Sequence, residues 1–393
     1  MSLKPTAVVV IPTYNEAGQT PRMIEYLMTK TFPKIKNWNM ILFYADGNSP
    51  DGTADVIRKY QKKYKSLKLM VETKKEGIGA AYVKAFKYAI KEFGADVVIE
   101  FDSDFQHPPK DIPIMLKEIE NGADYILGSR KIKGGSNPKG WGFKRLFFSE
   151  VGGFVARTIM FFPTKNFFKI TDPTTGFKAS RVKGFVDKME MDKLYTRSFG
   201  YKLEFLYKMI RLGAKVKEIP LKFGLRDTGE SKIEPQTAKE IFRVAILLRL
   251  NDPTTKKFIK FGSIGLFGFI INKLGLDFFA KQLSKVITEV GPRNTLANAM
   301  AAEFSIISNF TFNNLWTFKN EKMSFGKRLL KRFAAFNVSS IVSGIALPSL
   351  VIGTGTHYFG DQYRTLFLII GVACITVPLN WFVYNKVIWK KAK

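Results

Sequence analysis

The sequence predicts an α/β fold of Rossmann-like type with a mostly parallel sheet, followed by a domain of four transmembrane helices. Three observations carry this prediction. Short apolar runs alternate with helical patterns through residues 1–235, which is typical of parallel sheets covered by helices on both faces. Four apolar stretches follow residue 256, and each approaches the ~20 residues that cross a bilayer. Lys and Arg outnumber Asp and Glu by 62 to 33, a formal net charge of +29, which indicates anionic partners.

Five apolar runs in the first part of the chain are predicted strands. In chain order they are TAVVVIP, NMILFYA, LKLMVET, ADVVIEF and DYILGS. Four intervening segments have helical periodicity: EAGQTPRMIEYLMTK, DGTADVIRKYQKKY, GAAYVKAFKYAIKEF and PKDIPIMLKEIENG. Ligands of such sheets bind at the carboxyl ends of the strands. We therefore expect the functional residues in the turns that follow the strands.

Two further segments are rich in Phe, Ile and Leu with scattered Arg, at residues 145–162 and 238–250. They could be core helices, but their position beside basic or apolar segments favours amphipathic helices that lie on the membrane surface. The predicted organisation is therefore a globular domain at residues 1–235, an interfacial helix or linker at 236–255 and a transmembrane domain at 256–393.

The four predicted spans cover about 258–280, 296–316, 333–353 and 364–389. Lys273, Asp277 and Glu303 interrupt the first two, so buried core helices are the alternative there. Basic residues concentrate before the first span, in the link between the second and third, and at the C-terminal end. The link contains Lys319, Lys322, Lys327, Arg328, Lys331 and Arg332. By the positive-inside rule, both termini and this link are expected in the cytosol, with the globular domain.

Composition excludes some classes of protein. The single Cys374 excludes an intrachain disulfide framework, and the first apolar stretch is too short for a signal peptide. A nucleic-acid-binding protein would explain the charge, but it would not explain four spans. Much of the positive charge also flanks those spans, so no nucleic-acid partner is predicted.

The segment FDSDFQHPP follows the fourth predicted strand. In an extended segment Asp102, Asp104 and Gln106 project to one side, while Ser103 and Phe105 point away. Oxygen ligands suit a hard divalent cation, and Mg²⁺ usually also binds substrate phosphates. Ordinary turn residues are the alternative reading. The pattern favours a site for Mg²⁺ or Mn²⁺.

An ordered set of motifs extends this pattern: IPTYNE, ADGNSPDGT, FDSDFQHPP, GSRKIKGG, DPTTGF and LRDTGESKI. In this order they resemble the inverting glycosyltransferases of the GT-A fold, and more narrowly the polyprenyl-phosphate glycosyltransferases that include the dolichyl-phosphate mannose synthases. The segments FGSIGLFGF and NFTFNNLWTFKN are similar to the small membrane domain fused to some of those synthases. A lone Asp-X-Asp is weak evidence, whereas the ordered set covers nearly the whole chain.

The resemblance implies roles for individual residues. Those implied for the nucleotide-sugar donor are Pro12, Tyr14, Glu16, Asp46, Asp102, Ser103, Asp104, Gln106, Arg226 and Lys232. Arg226 and Lys232 are expected to close over the diphosphate. Those implied for the acceptor phosphate are Arg130, Arg145 and Ser149. With Asp104, these three are also the implied catalytic residues.

The implied reaction is the metal-dependent inverting transfer of a hexose, with GDP-mannose as the leading donor, to a polyprenyl or dolichyl phosphate at the cytosolic membrane face. A phosphate monoester is already largely ionised at pH 7, so the acceptor needs cations to hold it in line and no general base. His107 is accordingly expected to be structural, and Glu100 to be a paired polar residue.

One position departs from the family pattern. The family usually has two consecutive aspartates after the second strand, the second of which helps to bind the base, whereas this chain has Asp46-Gly47. Loss of that carboxylate weakens the case for guanine and leaves UDP-glucose or another UDP-sugar as the alternative. A processive polysaccharide synthase would need a QXXRW-type signature, and the sequence contains none. A membrane scaffold with a decayed site is disfavoured because the metal-type aspartates are present.

Overall fold

The computed structural model describes residues 4–225 and 235–390. The chain divides into two compact units, Met1–Leu250 and Asn251–Lys393. The first unit contains the sheet and the second is helical.

Within the described ranges, the first unit is built on a seven-stranded sheet with the order β3-β2-β1-β4-β6-β5-β7. The strands are β1 (Thr6–Thr13), β2 (Asn39–Asp46), β3 (Leu67–Val71), β4 (Val97–Glu100), β5 (Tyr125–Ser129), β6 (Lys178–Arg181) and β7 (Val216–Pro220). Only β6 runs antiparallel to its neighbours, β4 and β5. The predicted α/β fold with a mostly parallel sheet is confirmed.

The sheet separates two hydrophobic cores, and alternation along the central strand explains why. In β1, Val8 and Val10 enter one core and Val9 and Ile11 enter the other, because successive side chains of a strand point to opposite faces. A strand that is buried on both faces has no polar side, so it is apolar without alternation.

Helices cover both faces of this sheet. The helices of this unit are α1 (Thr20–Tyr26), α2 (Thr53–Gln61), α3 (Ile78–Phe93), α4 (Ile112–Glu120), α5 (Phe143–Phe147), α6 (Gly153–Phe161), α7 (Lys165–Lys169), α8 (Tyr201–Arg211) and α9 (Pro235–Asn251). Helix α5 contributes no buried residue. A single π-helical turn, Phe148–Gly152, joins α5 to α6. Such turns are rare and frequently occur at functional sites.

Large apolar side chains remain exposed on the first unit along α5, the π-turn, α6 and α7. Phe143 is 81 % exposed, and Phe148, Phe154 and Phe168 are each more than half exposed. Helix α9 has two apolar surfaces: Val244, Ala245 and Leu248 are in the core, whereas Ile246 and Leu250 are exposed. Both segments overlap the ranges for which the sequence predicts membrane-surface helices.

The second unit consists of helices interrupted by π-turns. They are α10 (Pro253–Leu283), α11 (Val290–Phe312), α12 (Lys327–Ile341), α13 (Leu347–Phe359), α14 (Arg364–Ile370) and α15 (Val377–Val383). Of the helices in the described part of the chain, α10 alone is long and apolar enough to cross a membrane by length and composition. An aromatic cluster that includes Phe310, Phe336 and Trp389 forms the core of this unit.

Candidate active site

The predicted site residues follow strands that are neighbours in the sheet. β2, β1 and β4 are adjacent and parallel, so the loops after Thr13, Asp46 and Glu100 leave the same edge of the sheet. Asn15, Asn48 and Phe105 in these loops have positive φ angles of 58° to 60°. Such backbone conformations are costly for residues other than glycine, and they cluster at ligand-binding sites.

Asp46 fixes the first two loops to each other. Its buried carboxylate accepts hydrogen bonds from the Thr13 hydroxyl at 3.3 Å, from the Ser49 hydroxyl at 2.6 Å and from the Ser49 backbone N–H at 2.9 Å. Asp46 therefore organises the region in which the sequence predicts the nucleoside, together with the partly buried Tyr14.

Gly47 lies against the Tyr14 ring. A Cβ at Gly47 would lie 3.4 Å from the Tyr14 ring and 3.7 Å from the Lys75 Cβ, and the Lys75 Nζ is 4.2 Å from the centre of that ring. These distances are ordinary van der Waals contacts, so the site accepts a Cβ at position 47 without a clash. The departure from the family pattern is therefore not imposed by the backbone.

The Asp102–Gln106 segment is not extended. The alternation of side chains that was predicted for an extended segment therefore does not apply to it. β4 ends at Glu100, and the chain turns at Phe105 with φ of 58°. The turn itself brings the residues together: the Gln106 N–H donates to the Asp104 Oδ1 at 3.1 Å. The Gln106 amide also donates to the Gly224 carbonyl at 3.2 Å.

The chemistry of this loop fits a divalent cation. Asp104, Ser103 and Gln106 are buried, and Asp102 is partly exposed. No cluster of three or more His, Cys, Asp or Glu side chains suited to a metal occurs among the described residues. Two carboxylates without a full protein cage match Mg²⁺-type binding, in which substrate phosphates and water complete the coordination.

His107 holds Asp102 in place. The Asp102 N–H donates to the His107 Nδ1 at 3.1 Å, and the His107 Nε2 lies 3.5 Å from the Asp102 Oδ2. The imidazole is 1 % exposed and packs on Phe101, Phe177 and Phe223. Burial lowers the pKa of His107 to about 3, so the ring is neutral at physiological pH.

A buried charged network lies next to this loop, and the sequence predicted only part of it. The Tyr201 hydroxyl donates to Glu100 at 2.5 Å, so Glu100 has a polar partner. Burial raises the pKa of Glu100, opposed by the charge of Lys178 and by the Tyr201 hydrogen bond. Lys178 is itself fully buried and donates to the Lys202 carbonyl at 2.9 Å.

Arg130, which follows β5, forms a bidentate ion pair. Its Nε and one terminal nitrogen donate to the two oxygens of Asp172 at 2.6 and 2.7 Å, and both side chains are at most 10 % exposed. Burial alone would raise the pKa of Asp172, but the charge and hydrogen bonds of Arg130 outweigh it and hold the pKa below its usual value. Asp172 was not assigned a role from the sequence, although it opens the DPTTGF motif.

Arg145 and Ser149 lie on α5 and the π-turn that follows it. The Arg145 guanidinium is 4.1 Å from the centre of the Trp141 ring. The Ser149 Oγ, the Trp141 Nε1 and the Asn137 Oδ1 are buried without a hydrogen-bond partner among the described residues. Buried polar atoms are normally paired, so a polar ligand would supply the missing partner for each of these atoms. Pro12 is the penultimate residue of β1 and Glu16 lies in the loop that follows this strand. Arg226 and Lys232 lie outside the described residues.

Comparisons with known proteins cover both units. Residues 8–185 match glycosyl transferase family 2, and residues 260–389 match the GtrA/DPMS transmembrane domain. A dolichol-phosphate mannosyltransferase of Pyrococcus furiosus is 31 % identical over 367 residues, 93 % of this chain and 96 % of that protein. An undecaprenyl-phosphate mannosyltransferase of Micrococcus luteus is 29 % identical over 58 % of this chain and 86 % of its own length. Among solved structures, a mannosyltransferase of Pyrobaculum calidifontis in complex with GDP-Man and Mn²⁺ is 16 % identical, with a TM-score of 0.39, over 80 % of this chain and 88 % of that one.

Proposed function

The chain belongs to the dolichol-phosphate mannosyltransferase family, and on that premise we propose that it transfers mannose from GDP-mannose to a polyprenyl or dolichyl phosphate. The observation that carries this proposal is the similarity to the Pyrococcus furiosus enzyme, which extends over 93 % of the chain and includes both units. The product is a lipid-phosphate-linked sugar, which serves as a donor for later glycosylation.

The donor diphosphate is proposed to bind at the Asp102–Gln106 loop together with Mg²⁺ or Mn²⁺. Asp102 and Asp104 supply carboxylate ligands, and Gln106, whose backbone N–H donates to the Asp104 Oδ1, supplies an amide oxygen. When bound, the cation supplies Lewis-acid stabilisation of the departing nucleoside diphosphate. His107 keeps Asp102 in position through its backbone N–H, and residues of this kind around metal ligands contribute strongly to affinity and activity.

The acceptor phosphate is proposed to bind beside Arg145 and Ser149. The unpaired polar atoms of Ser149 and Trp141 can donate hydrogen bonds to phosphate oxygens, and Arg145 supplies charge. Arg130 is held by Asp172, and its guanidinium lies 5.7 Å from the centre of the Phe223 ring, which packs against the Trp141 ring. No general base is needed, because a phosphate monoester is largely ionised at pH 7. The neutral, buried His107 is consistent with that mechanism.

We expect Arg145→Ala to raise the apparent KM for polyprenyl phosphate, or to lower kcat, by about ten- to a hundredfold. Loss of one charge-assisted contact costs about 1.5–3 kcal/mol. Lys144→Ala, which removes a neighbouring charge on the same helix, is the control and should have little effect. Initial rates at varied acceptor concentration test this, and loss of nucleotide binding in calorimetry would instead assign Arg145 to the donor.

Gly47 provides a test of which base the donor carries. We expect GDP to compete better than UDP for the wild-type protein in the presence of Mn²⁺. Gly47→Asp should strengthen GDP binding by about tenfold, ~1.4 kcal/mol, because it restores a carboxylate that can accept the N–H donors of guanine. A Cβ at position 47 makes only ordinary van der Waals contacts. Gly47→Ala controls for the added Cβ. If wild type binds UDP tenfold more tightly than GDP, a UDP-sugar is the donor.

The match to the GtrA/DPMS transmembrane domain makes the chain a membrane protein. We propose that it spans the membrane four times, with both termini, the link at residues 319–332 and the first unit in the cytosol. The density of Lys and Arg in that link supports this orientation. The exposed Phe143, Phe148 and Phe154 would then rest on the cytosolic membrane surface, where an acceptor phosphate is presented.

Cysteine labelling in intact cells tests the topology, since Cys374 is the only native thiol. In a Cys374→Ala background, we expect an impermeant maleimide to label Lys285→Cys from outside and to leave Phe325→Cys unlabelled until the cells are permeabilised. External labelling of Phe325→Cys would reverse the proposed orientation.

A further inference from the structure

The second unit contains an open cavity of about 440 Å³ between α11 and α12. Four of the residues that line it are cationic: Lys322, Lys327, Arg328 and Lys390. We call this the basic cavity. It lies wholly within the second unit and is distinct from the loops of the candidate active site.

The basic cavity rests on a firmly packed base. The buried Asn314 amide pairs with the Met323 backbone twice, donating to its carbonyl at 3.0 Å and accepting from its N–H at 2.9 Å. The Trp389 Nε1 donates to the same Asn314 side chain at 3.0 Å. Phe318 stacks on Trp389 with ring centres 4.4 Å apart. These contacts fix the backbone at Met323, next to Lys322, so this part of the cavity wall is held in place by the core of the unit.

The charge of the basic cavity is not balanced by its own lining. Its single acidic residue, Glu321, is already paired with Lys257 at 3.3 Å. Helix α12 also begins there, at Lys327, with no side-chain cap and no acidic residue in its first turn. Cations at the positive end of a helix dipole are unfavourable, and a bound anion would reverse that penalty.

The exposed rim of the basic cavity indicates which kind of anion it binds. Phe325 lines the cavity and is 88 % exposed, and an aromatic ring among Lys and Arg next to transmembrane helices is typical of the membrane interface. We propose that the basic cavity binds the phosphate of an anionic phospholipid headgroup, with Phe325 in the interfacial layer. Clusters of cations directly cytosolic of a membrane helix recognise anionic lipids in this way.

The test uses the full chain in nanodiscs of phosphatidylcholine, with and without phosphatidylglycerol, and counts retained lipids by native mass spectrometry. The cavity variant is Lys322→Gln/Lys327→Gln. The matched control is Lys319→Gln/Lys331→Gln, which removes the same charge from the same link at residues outside the cavity lining. We expect the cavity variant to bind phosphatidylglycerol about tenfold more weakly, ~1.4 kcal/mol, and the control to bind as wild type. Thermal unfolding of both variants checks that the fold is intact.

A separate titration with inorganic phosphate distinguishes the two sources of the anion. Weak displacement of phosphatidylglycerol by phosphate supports a lipid-borne ligand, whereas tight binding of phosphate alone assigns the cavity to a soluble anion and overturns the lipid assignment. If the cavity variant and its control lose phosphatidylglycerol binding to the same extent, general surface charge attracts the lipid. That result, or unchanged binding by the cavity variant, would overturn the proposed site.

Discussion

Asp104→Ala is expected to abolish sugar transfer, with a loss of at least about 10³-fold, or roughly 4 kcal/mol of transition-state stabilisation. Asp104 is a buried carboxylate in the loop after β4, and we assign it to the cation that offsets charge on the departing diphosphate. Asp104→Asn keeps the shape of the side chain and removes its charge, so it should lose nearly as much activity. Gln106→Ala should weaken transfer less and raise the concentration of Mg²⁺ or Mn²⁺ required.

The control for this series is Asp55→Ala, since Asp55 is an exposed residue of α2 whose ion-pair partner is Arg58. It should keep wild-type activity. A fully active Asp104→Ala variant, or wild-type activity in excess chelator, would contradict the role of the metal.

Asp172→Leu is expected to destabilise the first unit by about 3–5 kcal/mol, because it leaves the Arg130 charge buried without its partner. Chemical unfolding of the variant measures this loss. The double variant Arg130→Met/Asp172→Leu removes both charges and should recover much of the stability, since a buried ion pair is often replaceable by apolar side chains.

The transfer activity of the double variant distinguishes a structural role of Arg130 and Asp172 from a role in acceptor binding. If the Arg130 guanidinium contributes to acceptor binding, the double variant should be stable but still impaired in transfer to polyprenyl phosphate. Full activity of the stable double variant would limit the pair to a structural role. If Asp172→Leu is as stable as wild type, the ion pair does not contribute to the stability of the first unit in the way proposed.

Five strands were predicted from apolar runs. Of these, β1, β2, β4 and β5 are buried on both faces, whereas β3, at the edge of the sheet, is only partly buried. β6 and β7 were missed, because the sequences KASR and VKEIP are short and polar. β6 is central only through antiparallel pairing with β4 and β5, and its Lys178 is buried because Glu100 lies nearby in the fold. A buried charge whose partner is far away in the sequence gives no local sequence pattern that would predict a strand.

The sequence predicted those site residues that come directly after the end of a strand. The order of the motifs placed Asp46, Asp102 and Asp104 at one edge of the sheet, and the parallel pairing of β2, β1 and β4 confirms that edge. The prediction of the side-chain directions assumed an extended segment, and the turn at Phe105 contradicts that assumption. The partner of Arg130 is 42 positions along the chain, and only the folded structure identifies it as Asp172.

The most direct test of the proposed function is mass spectrometry of the lipids formed when the full chain, in a membrane containing polyprenyl phosphate, is supplied separately with GDP-mannose and with UDP-glucose. We predict a hexose-phosphate-polyprenyl product from GDP-mannose with Mg²⁺ or Mn²⁺, with the configuration of the sugar inverted, and no product from the Asp104→Ala variant. Release of free mannose without any lipid product, or a lipid product formed only from UDP-glucose, would contradict the proposed function.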